Sequence, residues 1–411
     1  MIPDTPEPPP VREPPVLDVD AHLDDARIIV CCGSGGVGKT TTAAALALRA
    51  AERGRNVVVL TIDPARRLAQ AMGLTELDNT PRRVVDVSGG RAPAHAGPVP
   101  SRAAGESGPG ELWAMMLDMK RTFDDIVLTH ASRERAEALL ANPFYQSLSS
   151  SFAGTQEYMA MEKLGQLQAT EKWDLIVVDT PPTRSALDFL DAPQRLGAFL
   201  DGRLLRLLLV PAKAGGRAYM KVLGAGFSIM TRALTRVIGL QLLTDVSQFI
   251  SALETMFGGF RQRAEETYRL LAAPGTAFFV VAAPEPDALR EASYFVDRLG
   301  TEEMPLAGLV LNRVHRSRAA ALSAPRSLSG AEVLAERGEF PLAAAVLRLH
   351  ADRVQLSARE HLLRERFTMA HPGVPVAEVP ALAEDVHDLD SLRFVGDQLG
   401  GGLSEPPAVG A

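Results

Sequence analysis

The stretch that decides the fold runs from Ala26 to Arg53 and reads ARIIVCCGSGGVGKTTTAAALALRAAER. An apolar strand pattern is followed by a glycine-rich turn and then by an alanine-rich helix pattern that begins at Lys39. The turn satisfies GxxxxGK[ST] from Gly33 to Thr40, in the strand–turn–helix context that this pattern requires. The stretch therefore predicts a phosphate-binding loop.

The chemistry of this loop follows from its backbone and two side chains. Glycines allow successive backbone N–H groups to converge on phosphate oxygens, and the helix N-terminus adds a partial positive charge. Lys39 would neutralise the β- and γ-phosphates, and the Thr40 hydroxyl would complete the coordination of Mg²⁺. We expect the nucleotide to contact the whole loop, which consists of Gly33, Ser34, Gly35, Gly36, Val37, Gly38, Lys39, Thr40 and Thr41.

Strand and helix patterns alternate along the rest of the chain. Apolar runs typical of buried strands occur at 56–62, 173–178, 276–282, 306–311 and 374–379, and shorter strand patterns occur at 83–87 and 112–117. Helical patterns at 287–299 and 342–367 separate the later runs. This alternation predicts an α/β fold, a P-loop NTPase with a doubly wound parallel sheet. Long helical patterns at about 118–168 and 190–271 break the rhythm and predict an inserted helical subdomain.

The P-loop domain predicted over residues 26–399 is flanked and interrupted by segments of low complexity. Residues 1–25 carry seven Asp or Glu against one Arg, with seven prolines in the first fifteen positions, and predict a disordered acidic tail. Residues 88–110 predict a flexible loop because 18 of the 23 are Gly, Ala, Pro or Ser. A second loop is predicted at about 316–330, and a disordered tail at 400–411.

Composition limits the function classes. The chain has 411 residues, 46% of them apolar, a net charge of -7, and two cysteines, Cys31 and Cys32. No apolar leader opens it and no disulfide framework is available, so we expect a cytoplasmic location. Most of the negative charge lies in the first 25 residues, and a near-neutral body argues against non-specific nucleic-acid binding.

Three polar residues end predicted strands. Asp63 follows VVVLTI, Asp179 follows DLIVV, and Asn312 follows LAGLVL. Ligands of open parallel sheets bind at the carboxyl ends of the strands, so both aspartates should face the phosphates. One carboxylate can position or deprotonate the attacking water while the other holds Mg²⁺ through its water shell. The Asn312 amide could pair with an adenine edge; each aspartate could instead merely cap the following loop.

The order of these motifs along the chain is typical of one protein family. GSGGVGKTT, then TIDPARRLAQAMG, DTPPTRSALDFLDAP, LNRV and VPAL together resemble the ArsA/Get-type ATPases, and among them the actinobacterial ArsA-like chains. The resemblance implies a Mg-ATPase that works as a nucleotide-driven dimer, with Asp63 activating water and Asp179 in the second switch. It implies that Asn312 and Pro380 surround the adenine. ATP is favoured over GTP because Asn312 fits this pattern and no NKxD motif follows.

The sequence departs from the family at Ser34, where the family loop usually has a lysine that reaches the partner's nucleotide. A hydroxyl cannot supply that charge, and such a cation in trans contributes on the order of 10³–10⁵ in rate in arginine-finger systems. Three interpretations stay open. The chain forms a heterodimer with a related chain that carries the lysine, or uses another cation such as Arg66 or Arg184, or turns over slowly as a nucleotide-gated binder.

The family's metal-binding cysteines are also absent from this sequence. No cysteine occurs outside the strand before the loop, so neither cysteine metalloid sites nor a CxxC zinc clamp after Asn312 is expected. Cys31 and Cys32 are predicted to be buried strand residues.

The expected output is capture or release of a hydrophobic or anionic client by a homodimer or heterodimer. Residues 202–244 contain seven basic residues and no acidic one, interleaved with apolar runs. Such a segment suits a client groove or the inner membrane surface, or packs within its own subdomain. The alternatives are a slow, regulatory ATP-binding subunit and a MinD/ParA-like positioning ATPase.

Overall fold

The computed structural model describes residues 15–62, 66–74, 76–84, 110–142, 145–146, 155–181, 262–317, 319, 321–338 and 340–402. An eight-stranded sheet forms the centre of this part of the chain. Its strands are β1 (Ile28–Gly33), β2 (Asn56–Thr61), β3 (Arg82–Arg83), β4 (Glu111–Met116), β5 (Leu175–Asp179), β6 (Thr276–Ala282), β7 (Leu306–Val314) and β8 (Val376–Pro380).

The strand order is β3-β4-β2-β5-β1-β6-β7-β8, and β3 is antiparallel to β4 while the other pairs are parallel. Strand β1 lies between β5 and β6, with Val30 paired to Val178 on one side and to Phe278 on the other. Every residue of β1, β5 and β6 is buried. Burial of both faces is what a parallel sheet covered by helices requires, and it explains their uninterrupted apolar sequences.

Helices follow most strands. They are α1 (Val19–Asp25), α2 (Lys39–Glu52), α3 (Arg66–Ala71), α4 (Met119–His130), α5 (Arg133–Leu140), α6 (Thr155–Ala169), α7 (described over 262–272), α8 (Pro286–Thr301), α9 (Ala324–Glu336), α10 (Pro341–Ala370) and α11 (Leu389–Leu399). Helix α2 packs on β1, β2, β4 and β5, whereas α8 packs on β1, β6 and β7. Six alanines of α2, from Ala43 to Ala51, are fully buried, because small side chains let the helix lie close to the sheet. The α/β prediction is confirmed.

The predicted N-terminal tail differs from the structure at its end. Residues 19–25 form α1, which begins with Asp18 accepting a hydrogen bond from the Ala21 N–H at 3.1 Å. Val19 and Leu23 bury their side chains almost completely, and their burial offsets the entropy of ordering the segment. Local composition hid this because the ordered residues follow directly on the proline-rich run.

The loop predicted at about 316–330 is also partly wrong. Helix α9 begins at Ala324 and packs closely along α10, a helix of 30 residues. Buried Ala331 and Ser327 lie on the α9 side of this contact. Their small size permits close helix packing, but in the sequence the same Ser, Ala and Gly content favours a loop.

Helices α4, α5 and α6 fall inside the segment at 118–168 for which a helical insertion is predicted. The second segment, at 190–271, lies outside the described residues except for α7. Residues 88–109 of the predicted flexible loop and residues 403–411 also lie outside them. The extent of the inserted subdomain therefore stays a prediction. Among the described helices, none combines the length and the apolar character needed to cross a bilayer.

Candidate functional site

The glycine-rich loop joins the carboxyl end of β1 to the first turn of α2. Gly36 and Gly38 have φ angles of 77° and 95°, in the left-handed region that favours glycine. A Cβ atom on Gly38 would lie 2.1 Å from Nδ2 of Asn312. Gly38 thus allows the loop backbone to approach the end of β7 as well as to turn.

Lys39 is drawn into the loop. Its Nζ atom donates a hydrogen bond to the carbonyl oxygen of Ser34 at 2.8 Å, and the residue is only 6% exposed. The ammonium group is therefore held beside the backbone N–H groups of the loop, where a bound phosphate would lie. The role of Lys39 in neutralising phosphate charge stays a prediction.

Asp179 joins the loop to the neighbouring strands. Its Oδ2 atom accepts hydrogen bonds from the Thr40 hydroxyl at 2.7 Å and from the Thr61 hydroxyl at 2.9 Å. The carboxylate is fully buried at the end of β5. The structure thus brings together Thr40 and Asp179, the two residues predicted to serve Mg²⁺.

Asp63 and Arg184 lie outside the described residues, and so does the side chain of Arg66. The chain reaches the position before Asp63 at Ile62, whose N–H donates to the Asp179 carbonyl at 3.1 Å. The water-activating role of Asp63 stays a prediction.

A cavity of about 980 Å³ extends from the loop to the ends of β7 and β8. Of the predicted site residues, it is lined by Gly36, Gly38, Lys39, Thr40, Thr41, Asn312 and Pro380. Neighbouring strands lie about 4.8 Å apart, so β7 and β8 end roughly 10 and 14 Å across the sheet from β1. The cavity therefore suits an elongated ligand with phosphates at one end and a base at the other.

The far wall of the cavity begins with an irregularity in β7. The register between β7 and β8 shifts between Leu311 and Val314, and Arg313 has a left-handed φ of 63°. Asn312 is buried, donates from Nδ2 to the Val37 carbonyl at 2.8 Å, and accepts the Arg313 N–H at 3.0 Å. The bulge aims Asn312 at the loop, so its amide links the two ends of the site.

Two residues of this wall were missed by sequence reasoning, namely His315 and Glu360. His315 lines the cavity directly after β7, and its ring Nδ1 lies 2.6 Å from Oε1 of Glu360 in α10. Glu360 is separated from His315 by 45 residues and sits in a helix rich in charged residues, so the sequence gives no signal for this pair.

A second ion-pair cluster joins α10 to β8 beside the same wall. Arg364 and Arg316 donate to the two carboxylate oxygens of Glu378 in β8, at 2.5 and 2.9 Å. Burial alone would raise the pKa of Glu378, but the hydrogen bonds from Arg364 and Arg316 outweigh it and lower the pKa. The carboxylate therefore stays charged and joins α10 to the strand that leads to Pro380.

A smaller cavity of about 300 Å³ lies on the other side of the loop. Ser34, Gly35 and Val37 line it, together with Glu285 and Asp287 at the start of α8. Gly36 and Arg313 line both cavities. Gly33 lies at the base of the loop, where a Cβ would meet the Val281 carbonyl at 2.1 Å. Ser34 thus faces a different space from Lys39.

The two thiols are buried below the loop. Cys31 and Cys32 are both fully inaccessible. Burial raises the pKa of Cys31 well above its usual value, an effect increased by the nearby Asp179 carboxylate, and raises the pKa of Cys32 to about 12. The prediction that both are structural strand residues is confirmed.

The residues present fit a magnesium nucleotide. Gly36 and Gly38 give the loop its left-handed turns, and the Lys39 ammonium group is bonded to the loop backbone. The hydroxyl of Thr40 and the carboxylate of Asp179 are hard oxygen donors, of the kind that Mg²⁺ prefers beside substrate phosphates.

Comparison with known proteins agrees with this geometry. The profile of the family described as Anion-transporting ATPase matches residues 26–87 and 110–323. The gap between the two matched ranges coincides with the flexible loop predicted at 88–110. An ATPase GET3 from Malassezia globosa is 27% identical over 249 residues, which are 60% of this chain and 66% of that protein.

An ATPase GET3 from Podospora anserina is 26% identical over 301 residues, or 73% of this chain and 76% of its own length. An uncharacterised protein of Streptomyces coelicolor is 31% identical over 210 residues, 51% of this chain and 47% of that one. The match thus spans between about half and three quarters of these relatives. With the family profile covering most of the chain and the loop, carboxylate and asparagine in place, this protein belongs to the anion-transporting ATPase (ArsA/Get) family.

Proposed function

We propose that this protein is a Mg-dependent ATPase that works as a dimer and uses ATP to capture or release a client. The observation that carries the proposal is the single cavity that connects Lys39, Thr40 and Asn312 with Pro380, beside a buried carboxylate. This cavity can accept triphosphate and base together, which a phosphate-binding turn alone could not.

Each described residue has a task in this proposal. Lys39, which is bonded to the Ser34 carbonyl, would pair with the β- and γ-phosphates, and Thr40, which is bonded to Asp179, would help to hold Mg²⁺. Bound magnesium would offset negative charge on the phosphates as the terminal bond breaks. Asp179 holds the magnesium shell, and Asp63 orients and deprotonates the attacking water.

The chain that follows β5 would couple the nucleotide site to the client. Residues 182–261 follow Asp179 and Thr180 directly and contain the cationic, apolar stretch at 202–244. A shift of Asp179 when magnesium binds would therefore be transmitted to the start of this segment. The client would be hydrophobic or anionic, met in the cytoplasm or at the inner face of the membrane; no nucleic-acid role is proposed.

The test is turnover of Mg-ATP by the purified chain at a measured oligomeric state. We expect phosphate release that both Lys39→Ala and Asp63→Asn abolish, with Asp63→Asn still binding ATP because its loop is intact. As a control, Glu365→Gln removes one half-buried carboxylate of α10 that does not line the cavity and should leave turnover unchanged. Absence of ATP binding by the unmodified chain would overturn the proposal.

A second function is favoured by Ser34. Because this position carries no positive charge, the chain could bind ATP tightly and turn it over slowly, acting as a regulatory subunit in a heterodimer. Tight binding with negligible turnover in the same experiment would support this second function.

A further inference from the structure

His315 is held on the cavity wall by Glu360, a carboxylate of α10. Its backbone N–H donates to Oε2 of Glu360 at 2.7 Å, and its ring Nδ1 lies 2.6 Å from Oε1. Glu360 is only 6% exposed, whereas the His315 side chain is 29% exposed and lines the cavity. With Nδ1 engaged by Glu360, the ring edge left for a ligand is that of Nε2.

The contact with Glu360 determines which ring nitrogen of His315 carries the proton. We assign the ring proton to Nδ1, because an ionised carboxylate only accepts hydrogen bonds and Glu360 also accepts the backbone N–H of the same residue. In the neutral imidazole Nε2 is then unprotonated and has a free lone pair. His315 therefore presents a hydrogen-bond acceptor to whatever fills this end of the cavity.

The position of His315 matches the base end of the site. It follows β7, two strands from the phosphate-binding loop, and lies three residues after Asn312. The Ala381 N–H donates to the Val314 carbonyl at 2.9 Å, which ties the segment before His315 to the residue after Pro380. Arg316 on the other side is bound to Glu378, so the histidine is fixed from both directions.

We propose that Nε2 of His315 accepts a hydrogen bond from the exocyclic amine of the bound adenine, and that Glu360 is the positioning residue that makes this possible. The inference rests on the proposed function and adds a residue that selects the base. Adenine carries an amine at its six-position, whereas guanine and hypoxanthine carry a carbonyl there. A carbonyl would face the Nε2 lone pair as a second acceptor, so the hydrogen bond would be lost and two acceptors would oppose each other.

The test compares equilibrium binding of ATP, ITP and 2′-deoxy-ATP by calorimetry. ITP replaces the amine with a carbonyl, and 2′-deoxy-ATP removes a ribose hydroxyl, which is another hydrogen-bond donor of the ligand. We expect the unmodified protein to prefer ATP to ITP about tenfold or more. His315→Ala should weaken ATP about three- to tenfold, the value of one neutral hydrogen bond, and leave ITP within about twofold.

Glu360→Gln gives the sharper readout. The amide oxygen of Gln can still accept the His315 backbone N–H, but its NH₂ group would then face Nδ1 and donate to it. The ring proton would move to Nε2, which becomes a donor that suits the carbonyl of ITP. We expect the ATP preference over ITP to fall at least tenfold or to reverse, with an unchanged thermal unfolding midpoint. A purely structural role for Glu360 would weaken both nucleotides equally.

Matched controls lie on the same helix. Glu365→Gln removes a carboxylate that pairs with His361 at 3.1 Å, and His350→Ala removes a ring bound to the Leu322 carbonyl at 2.8 Å. Neither residue lines the cavity, so both variants should keep the ATP-to-ITP ratio. If the unmodified protein binds no ATP, the proposed function itself fails. If it binds ATP but neither test variant changes the ratio, or if only 2′-deoxy-ATP responds, the inference about the base is overturned.

Discussion

The hydroxyl of Thr40 donates to Oδ2 of Asp179 at 2.7 Å, although the two residues are 139 positions apart. The pairing follows from topology, because β5 lies beside β1 and the carboxyl ends of parallel neighbours meet at one edge. The two residues predicted to serve magnesium are therefore bonded to each other, and their metal role stays a prediction.

The first prediction concerns this pair. Asp179→Asn should reduce the gain in ATP affinity that Mg²⁺ provides by about 10- to 100-fold, the usual effect of losing a residue that orients a metal's ligands. Affinity without magnesium should change little, since the loop and Lys39 are intact. Nucleotide titrations with Mg²⁺ and with EDTA measure the difference.

Thr61→Val is the matched control for this prediction. It removes the other hydrogen bond to the same Oδ2 atom, 2.9 Å long, without touching a predicted magnesium ligand. Its magnesium effect should be several-fold smaller. An equal loss of affinity with and without magnesium in Asp179→Asn would contradict the assignment.

The second prediction concerns the buried thiols. With a pKa of about 12, Cys32 is ionised to roughly one part in 10⁴ at pH 8, and Cys31 is at least as protected by burial. We expect iodoacetamide to label neither residue in the folded protein and both after unfolding in denaturant. Labelling counted by mass spectrometry tests this; Ser329→Cys, at an exposed position of α9, should react within minutes and shows that the reagent works. Rapid labelling of Cys31 or Cys32 in the native state would contradict their burial.

The third prediction concerns the attachment of α1. Arg49 of α2 binds both carboxylate oxygens of Asp20 at 2.6 and 2.8 Å and reaches Asp397 of α11 at 2.9 Å. Arg49→Met should lower the free energy of unfolding by about 1–2 kcal/mol, as expected for a bidentate, partly buried ion pair. Arg290→Met, an exposed residue paired only within its own helix, should change it by less than about 0.5 kcal/mol. Denaturant unfolding of the three proteins gives both values.

The fourth prediction is the pH dependence of the same contact. The hydrogen bond from Arg49 lowers the pKa of Asp20 below its usual 3.8, against the raising effect of burial. A lowered pKa in the folded state stabilises the fold above pH 3.8, and this contribution is lost as the pH falls through the folded-state value. Asp20→Asn should therefore be less stable than the unmodified protein at pH 7, and the difference should shrink below about pH 4. A constant difference between pH 7 and pH 3 would contradict an ionic role for Asp20.

Much of the site could be predicted from sequence because its parts are local. Each part follows an apolar strand pattern in the sequence. Gly33 begins the loop after β1, Asp179 ends the pattern of β5, and Asn312 ends the apolar run of β7. Parallel pairing then brings these ends together without further information. Sequence also places Asp63 there, a prediction that the described residues do not reach.

What could not be predicted depends on contacts between distant segments. Glu360 holds His315 only because α10 returns along the end of β7, and nothing in either local sequence indicates the pair. Helix α1 is likewise attached to α2 through the ion pair between Asp20 and Arg49, which are 29 positions apart. Composition describes a segment by itself, whereas these contacts are supplied by its neighbours.

The last prediction concerns Ser34, the position without the family lysine. Its side of the loop faces a cavity of about 300 Å³ that Glu285, Asp287 and Arg313 also line. Carboxylates there favour a cation, so a lysine at position 34 can be accepted without loss of the fold. If a missing charge limits turnover, Ser34→Lys should raise the rate constant kcat at least tenfold, and up to the roughly 10³–10⁵-fold that a cation in trans supplies in arginine-finger systems.

Mixing distinguishes a lysine acting across a dimer from one acting in its own subunit. We expect Ser34→Lys combined with Asp63→Asn to be inactive alone, because its own water cannot be activated, yet to retain ATP binding and donate its lysine. Added to the unmodified chain, it should raise phosphate release per active site with a hyperbolic dependence on its concentration. The same mixture made with Asp63→Asn alone should not, since it brings no new charge. If Ser34→Lys alone is faster but the double variant does not activate the unmodified chain, the lysine acts within its own subunit. Arg313 of that subunit already lines both cavities.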